Sequence, residues 1–167
     1  MYRLASIAGV VLFAGLSISP PAYADCTDPA SPEVNWRRCI FDGQDFSGVD
    51  LTQAQMRDAS FRRAILDGSD LSGVDAFRAR FINASMIEVN LDGARLFDAD
   101  LTGADLTNAS FVGADLGSAN MVGAILVGAD LTDANLARTG LRNVDLSGAT
   151  WIDGERVCAE GSIGRCN

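Results

Sequence analysis

Three kinds of side chain in this sequence could do chemistry. The first is cysteine, present only as Cys26, Cys39, Cys158 and Cys166. An even number of thiols can close disulfides in an oxidising compartment, and four allow three pairings. The second is the carboxylate, with 22 aspartates and glutamates. Paired carboxylates can hydrolyse glycosides or hold a hard cation such as Ca²⁺. The third is arginine, which accounts for all 13 basic residues. Guanidinium groups recognise carboxylates, phosphates and aromatic faces. Histidine and lysine are absent altogether. The usual general base is therefore missing, and so are the lysine-based nucleophiles.

The elements that position these groups begin after a leader. Arg3 precedes an almost wholly apolar or small run from Leu4 to Ile18. Ser19-Pro20-Pro21 breaks the run, and Ala22-Tyr23-Ala24 forms a small-residue cleavage motif before Asp25. Residues 1–24 are expected to be a secretory signal peptide, since the run is too short to span a bilayer comfortably. From Asp25 onward the chain carries 12 arginines against 22 acidic residues, a net charge of −10. That balance disfavours nucleic acid or an anionic membrane as partner. Residue 25, just before Cys26, is an aspartate where a lipid-attachment signal has a small neutral residue.

From Phe41 to Trp151 a step of five residues meets 23 positions without an insertion. All are large and apolar except Ala76. Two places before each, fifteen are alanine and four are valine (Val49, Val74, Val89, Val144). Two places beyond each, ten are glycine and seven are Asn or Asp. A period of five gives no stripe on a helix and flips faces on a straight strand. It makes sense if the chain turns a corner every five residues, at residues that tolerate turn conformations.

On these grounds the sequence resembles the pentapeptide-repeat family, whose motif is A-[DN]-L-x-x. Ala99-Asp100-Leu101-Thr102-Gly103, Ala104-Asp105-Leu106 and Ala129-Asp130-Leu131 match it outright. The resemblance covers residues 39–153. It implies an all-β right-handed quadrilateral β-helix with four repeats per coil. The central residue and the small one two before it would point inward. Twenty-three repeats would then make five to six coils, a rod about 25–30 Å long. Ala76 leaves room for Met56 and Leu96, or for Phe77 to turn inward.

A rod has two exposed edges, which need caps. Residues 25–38 are expected to form an N-terminal cap with a short helix starting at Ser31-Pro32-Glu33, and Trp36 would cover the first coil. Trp151 would sit on the last rung, with residues 154–167 as a C-terminal cap. In such a rod the ends lie far beyond disulfide reach. The expected pairs are therefore Cys26–Cys39 and Cys158–Cys166.

Four repeats per coil sort the outward residues onto four sides. Side one holds the repeats centred on Phe41, Phe61 and Phe81, side two those on Phe46 and Leu66, side three those on Leu51 and Leu71, side four those on Met56 and Ala76. Their net charges are +2, −5, −6 and 0. Sides four and one gather Arg57, Arg62, Arg63, Arg78, Arg80 and Arg95 beside Phe77, Ile82 and Phe97. Arginine beside aromatic rings is an interface composition, and this is the candidate patch for a protein or an anionic polymer. On side three Asp50 and Asp70 would stack, and Ca²⁺ could relieve them. Asn90, Ser110 and Thr150 interrupt that column, so no metal or other cofactor is expected.

The resulting expectation is a non-catalytic periplasmic or extracellular binding or scaffold module, either a monomer or an end-to-end dimer, without membrane contact once the leader is cleaved. A second reading comes from the resemblance alone. Certain pentapeptide-repeat proteins mimic duplex DNA and occupy gyrase. The acidic sides fit that reading, whereas the export signal opposes it. A carboxylate-based hydrolase is the remote third reading, since a flat solenoid side offers no cleft.

Overall fold

The computed structural model describes residues 25–167; the expected signal peptide at 1–24 lies outside them. Twenty parallel bridges join each residue to the one twenty ahead, from Asn35↔Gln55 to Asp130↔Thr150. A full coil therefore takes twenty residues, and four five-residue sides make one coil. The contacts between coils are single bridges because each straight stretch between corners is only about two residues long.

The corner explains the period. At each one a backbone N–H bonds three residues back, as in Ala54 N–H to the Leu51 carbonyl at 3.0 Å. The third residue of the turn has positive φ at every fifth position from Glu33 to Gly148. Type II turns need that conformation, and glycine, Asn and Asp adopt it most cheaply. The remaining polar groups pair up and down the rod, as where Leu101 N–H reaches the Asn120 carbonyl at 2.8 Å.

The central residues and the alanines two before them fill the interior. From Leu51 to Leu131 every one of these central residues is buried. Phe41, Phe61 and Phe81 stack along side one, with centroids 5.3 Å apart at each step. Ala76 is fully buried between Met56 and Leu96, which are buried too. Phe77 does not turn inward to fill the gap; it is half-buried on the outer surface.

The expected helix at Ser31-Pro32-Glu33 is absent, and this segment is a correction to the sequence reading. Residues 31–35 form one more corner instead. Glu33 has φ 59° and donates to the Thr52 carbonyl at 2.8 Å. Val34 takes the inward alanine place and Trp36 the central place. The proline misleads because its fixed φ suits the second residue of a turn as well as the first residue of a helix. The turn places Val34 and Trp36 in the core, which is worth several kcal/mol. One or two turns of isolated helix would offer far less. Trp36 is 1% exposed, packs on Phe41 and Phe46 with centroids at 4.4 and 5.3 Å, and donates from Nε1 to the Asp28 carbonyl at 3.2 Å.

Disulfides join Cys26 to Cys39 and Cys158 to Cys166. Beyond Trp151 the chain reverses. Thr150 pairs antiparallel with Val157, and Asp145 with Ile163. The C-terminal segment so covers sides three and two of the last coil. Trp151 remains half-buried, its N–H bonded to the Arg156 carbonyl at 2.7 Å.

Candidate functional site

The twenty-residue coil brings residues 57, 77, 97 and 117 into one outward column on side four. The guanidinium of Arg57 lies over the Phe77 ring, 5.2 Å from its centroid. Arg78 approaches the same ring at 4.9 Å. Phe77 and Phe97 stack with centroids 6.2 Å apart and planes 10° apart. Above Phe97 the column ends on Gly117. A Cβ there would come within 2.9 Å of the Phe97 ring. Gly117 thus offers the ring a flat surface to pack against, and its φ is not in the left-handed region.

The arginines of this column are largely neutralised from within. Asp75 sits between two of them, its Oδ2 3.1 Å from Arg57 Nε and 3.4 Å from Arg95 Nη1. Arg78 grips Asp58 Oδ1 through Nε and Nη2, both at 2.9 Å. These carboxylates were absent from the candidate patch. Their signal was the i, i+20 and neighbouring-corner spacing, which sets Asp58 under Arg78 and Asp75 under Arg95.

Around the corner, on side one, Arg62, Arg63 and Arg80 form no ion pair among the described residues. Arg62 and Arg63 line a shallow depression of about 270 Å³ with Asp42 and Gly43. Asp42 is held as a carboxylate there: the Ser60 hydroxyl bonds it at 2.6 Å and the Arg62 backbone N–H at 3.0 Å. Together with the charges of Arg62 and Arg80 they lower its pKa, the Ser60 bond first. Ile82 is half-buried beside them. The nine predicted patch residues therefore divide into a self-paired aromatic column and a cationic corner.

The acidic sides carry a different arrangement. Asp45, Asp50 and Asp145 each accept from a hydroxyl and a backbone N–H two residues on, at Ser47, Thr52 and Ser147. The hydroxyl bond is the larger cause of their lowered pKa. Asp50 and Asp70 do pair across adjacent coils, but each carboxylate is aimed at its own corner. Among the described residues no group of three or more His, Cys, Asp or Glu is placed to hold a metal ion. No helix of the described residues is long and apolar enough to cross a membrane.

Comparison with known proteins agrees with this geometry. The family model for pentapeptide repeats matches in eight copies over residues 39–75, 77–111 and 109–149. No curated protein matches the chain. Among solved structures, the chain is similar to a pentapeptide repeat protein from the Arabidopsis thaliana thylakoid lumen, at 34% identity and TM-score 0.57. That likeness covers 59% of this chain and 68% of the other. A pentapeptide repeat protein from the cyanobacterium Cyanothece is 26% identical over 70% of this chain and 90% of its own, with TM-score 0.41. QnrB1, a plasmid-mediated fluoroquinolone resistance protein, is 18% identical over 78% and 79%, with TM-score 0.42. Proteins of this kind form right-handed quadrilateral β-helices, and the five-residue corners, the twenty-residue coil and the matched span agree: this chain belongs to the pentapeptide-repeat family.

Proposed function

We propose that the protein is a non-catalytic binding or scaffold module that works outside the cytoplasm and docks a partner protein on sides four and one. The observation that carries this is the outward-facing, half-buried column of Arg57, Phe77 and Phe97 against Gly117, beside arginines 62, 63 and 80, which form no ion pair among the described residues. Stacked rings held rigid by their neighbours lose little entropy on binding. Arginines outside any direct ion pair can pair with an acidic partner. The self-pairing of Arg57, Arg78 and Arg95 argues for a protein surface with both aromatic and charged character over a simple anionic polymer. Two disulfides fit an oxidising compartment, and one relative is a thylakoid lumen protein.

The test is affinity capture from the extracytoplasmic fraction of the source cells, followed by titration of the purified partner. A variant with Phe77→Ser, Phe97→Ser, Arg78→Glu and Arg80→Glu should bind at least tenfold more weakly than wild type, in line with hot-spot losses. Equal affinity would remove the patch from the proposal.

A further inference from the structure

At the C-terminal end the last coil is finished on only two of its four sides. Over sides two and three the terminal segment supplies the missing partners: Leu146 N–H donates to Ser162, Gly148 N–H to Cys158, and Cys158 N–H to Ala149, at 2.8–2.9 Å. It stops at Gly164, whose N–H reaches the Val144 carbonyl at 2.8 Å. Over side four and the start of side one no described residue pairs with the last coil, whereas Gly164 lies against the far end of side one, beside the Leu141 carbonyl and the Asn143 nitrogen. One coil down, Leu116, Ser118, Met121 and Gly123 donate upward to the carbonyls of Asn135, Ala137, Gly140 and Arg142. The equivalent donors on the last coil are the N–H groups of Leu136, Arg138, Leu141 and Asn143. None has a partner among the described residues, and neither have the carbonyls of Ala134 and Thr139. The side chains at this edge are opened too. Leu136, Thr139 and Leu141 are half-buried where their counterparts lower in the rod are covered.

The vacant half-rung is one strand thick, because the cap stands one rung higher on the other two sides. A single extended chain fits. The edge offers four donors against two acceptors, and the exposed Arg138, Arg142 and Arg165 flank it without ion pairs among the described residues. We propose that this half-rung takes an extended acidic peptide segment of a partner protein as an added β-strand, turning one corner over Leu136 and Leu141. Backbone pairing supplies the affinity in such strand addition, and alternate side chains supply the specificity. This edge lies apart from the Phe77–Phe97 column, so either proposal can fail alone.

The probe is a fluorescein-labelled, end-blocked peptide with the sequence of residues 99–108, two consecutive Ala-Asp-Leu repeats. Its leucines would cover Leu136 and Leu141, and its aspartate N–H groups would face Ala134 and Thr139. Saturable anisotropy is expected at low salt. Arg138→Glu with Arg142→Glu should weaken it at least tenfold, and proline in place of both peptide aspartates should abolish it. Amide exchange at Leu136, Arg138, Leu141 and Asn143 should be fast in the free protein and slow when the peptide is bound. Absence of saturable binding, binding indifferent to the charge reversal, or protection elsewhere would overturn the proposal. So would a dimer in sedimentation that the charge reversal dissolves, since the edge would then belong to a second copy.

Discussion

The hydroxyl of Ser60 donates to Oδ1 of Asp42, eighteen residues earlier and one coil below, at 2.6 Å. The same bond recurs between Ser85 and Asp67 at 2.7 Å and between Ser110 and Asp92. In each case the backbone N–H two places beyond the serine adds a second donor, at Arg62, Ile87 and Val112. These aspartates recur every 25 residues, one coil plus one side, so the bonds wind around the rod and tie successive coils on sides one, two and three.

The Asp42–Ser60 bond gives a pH-dependent prediction. Asp42 has a lowered pKa in the folded protein, chiefly through Ser60. A depressed carboxylate contributes stability that is present above its unfolded pKa and is lost as pH falls through its folded pKa. Ser60 is buried, so Ser60→Ala should cost about 1 kcal/mol at pH 7. In urea denaturation that difference should persist down to about pH 4, the unfolded range of aspartate, and shrink below it. A cost unchanged at pH 2.5 would mean that the loss comes from packing of the hydroxyl and not from its bond to a carboxylate.

The glycine corners separate two kinds of strain. At Gly113, with φ 67°, an added Cβ would meet nothing within 4 Å. Gly113→Ala should therefore cost only the left-handed backbone penalty, about 1 kcal/mol. At Gly103, with φ 66°, the same Cβ would come within 2.4 Å of Asn83 Oδ1 on the coil below. That atom is the free end of an exposed side chain, so Gly103→Ala should cost only slightly more than Gly113→Ala. The double variant with Asn83→Ala should bring its cost back to that of Gly113→Ala, as read from urea midpoints at equal slope.

Gly117 tests the aromatic column without a backbone penalty. Gly117→Ala should push the Phe97 ring aside and disturb its stacking on Phe77. Ring chemical shifts of Phe97 and, less strongly, Phe77 should move, while global stability changes by less than about 1 kcal/mol, since the residues lie on the surface. Unmoved ring signals would show that Phe97 packs elsewhere in solution.

The legibility of this fold follows from its period. Leu101, Leu106 and Leu131 announce the inward column, and the spacing of twenty aligns Arg57, Phe77, Phe97 and Gly117 once four sides are assumed. The same rule applied one step earlier would have found Trp36, five residues before Phe41, with Val34 and Asn35 in the motif's first two places. Pro32 hid it, because proline opens turns and helices alike. The Asp42–Ser60 bond was hidden for another reason. Its spacing of eighteen depends on how a side chain leans across the groove between coils, which a pattern of residue types does not state. The antiparallel return to Val157 and Ile163 carries no period at all.

Trp36 supplies the last prediction. It was expected as a lid laid over the first coil, but it occupies the central place of a repeat, with Phe41, Phe46 and Phe61 around it at 4.4, 5.3 and 6.3 Å. A lid could be truncated cheaply, whereas a core tryptophan leaves a cavity. Trp36→Ala should cost about 3–5 kcal/mol, and Trp36→Leu, which restores the usual repeat residue, should recover part of it. The two tryptophans also differ in exposure, since Trp151 is only half-buried. In a Trp151→Phe background the remaining Trp36 emission should be blue-shifted and nearly inaccessible to acrylamide until the rod unfolds. Quenching at the rate of an exposed indole in the folded state would return Trp36 to the surface, and would take the corner at residues 31–35 with it.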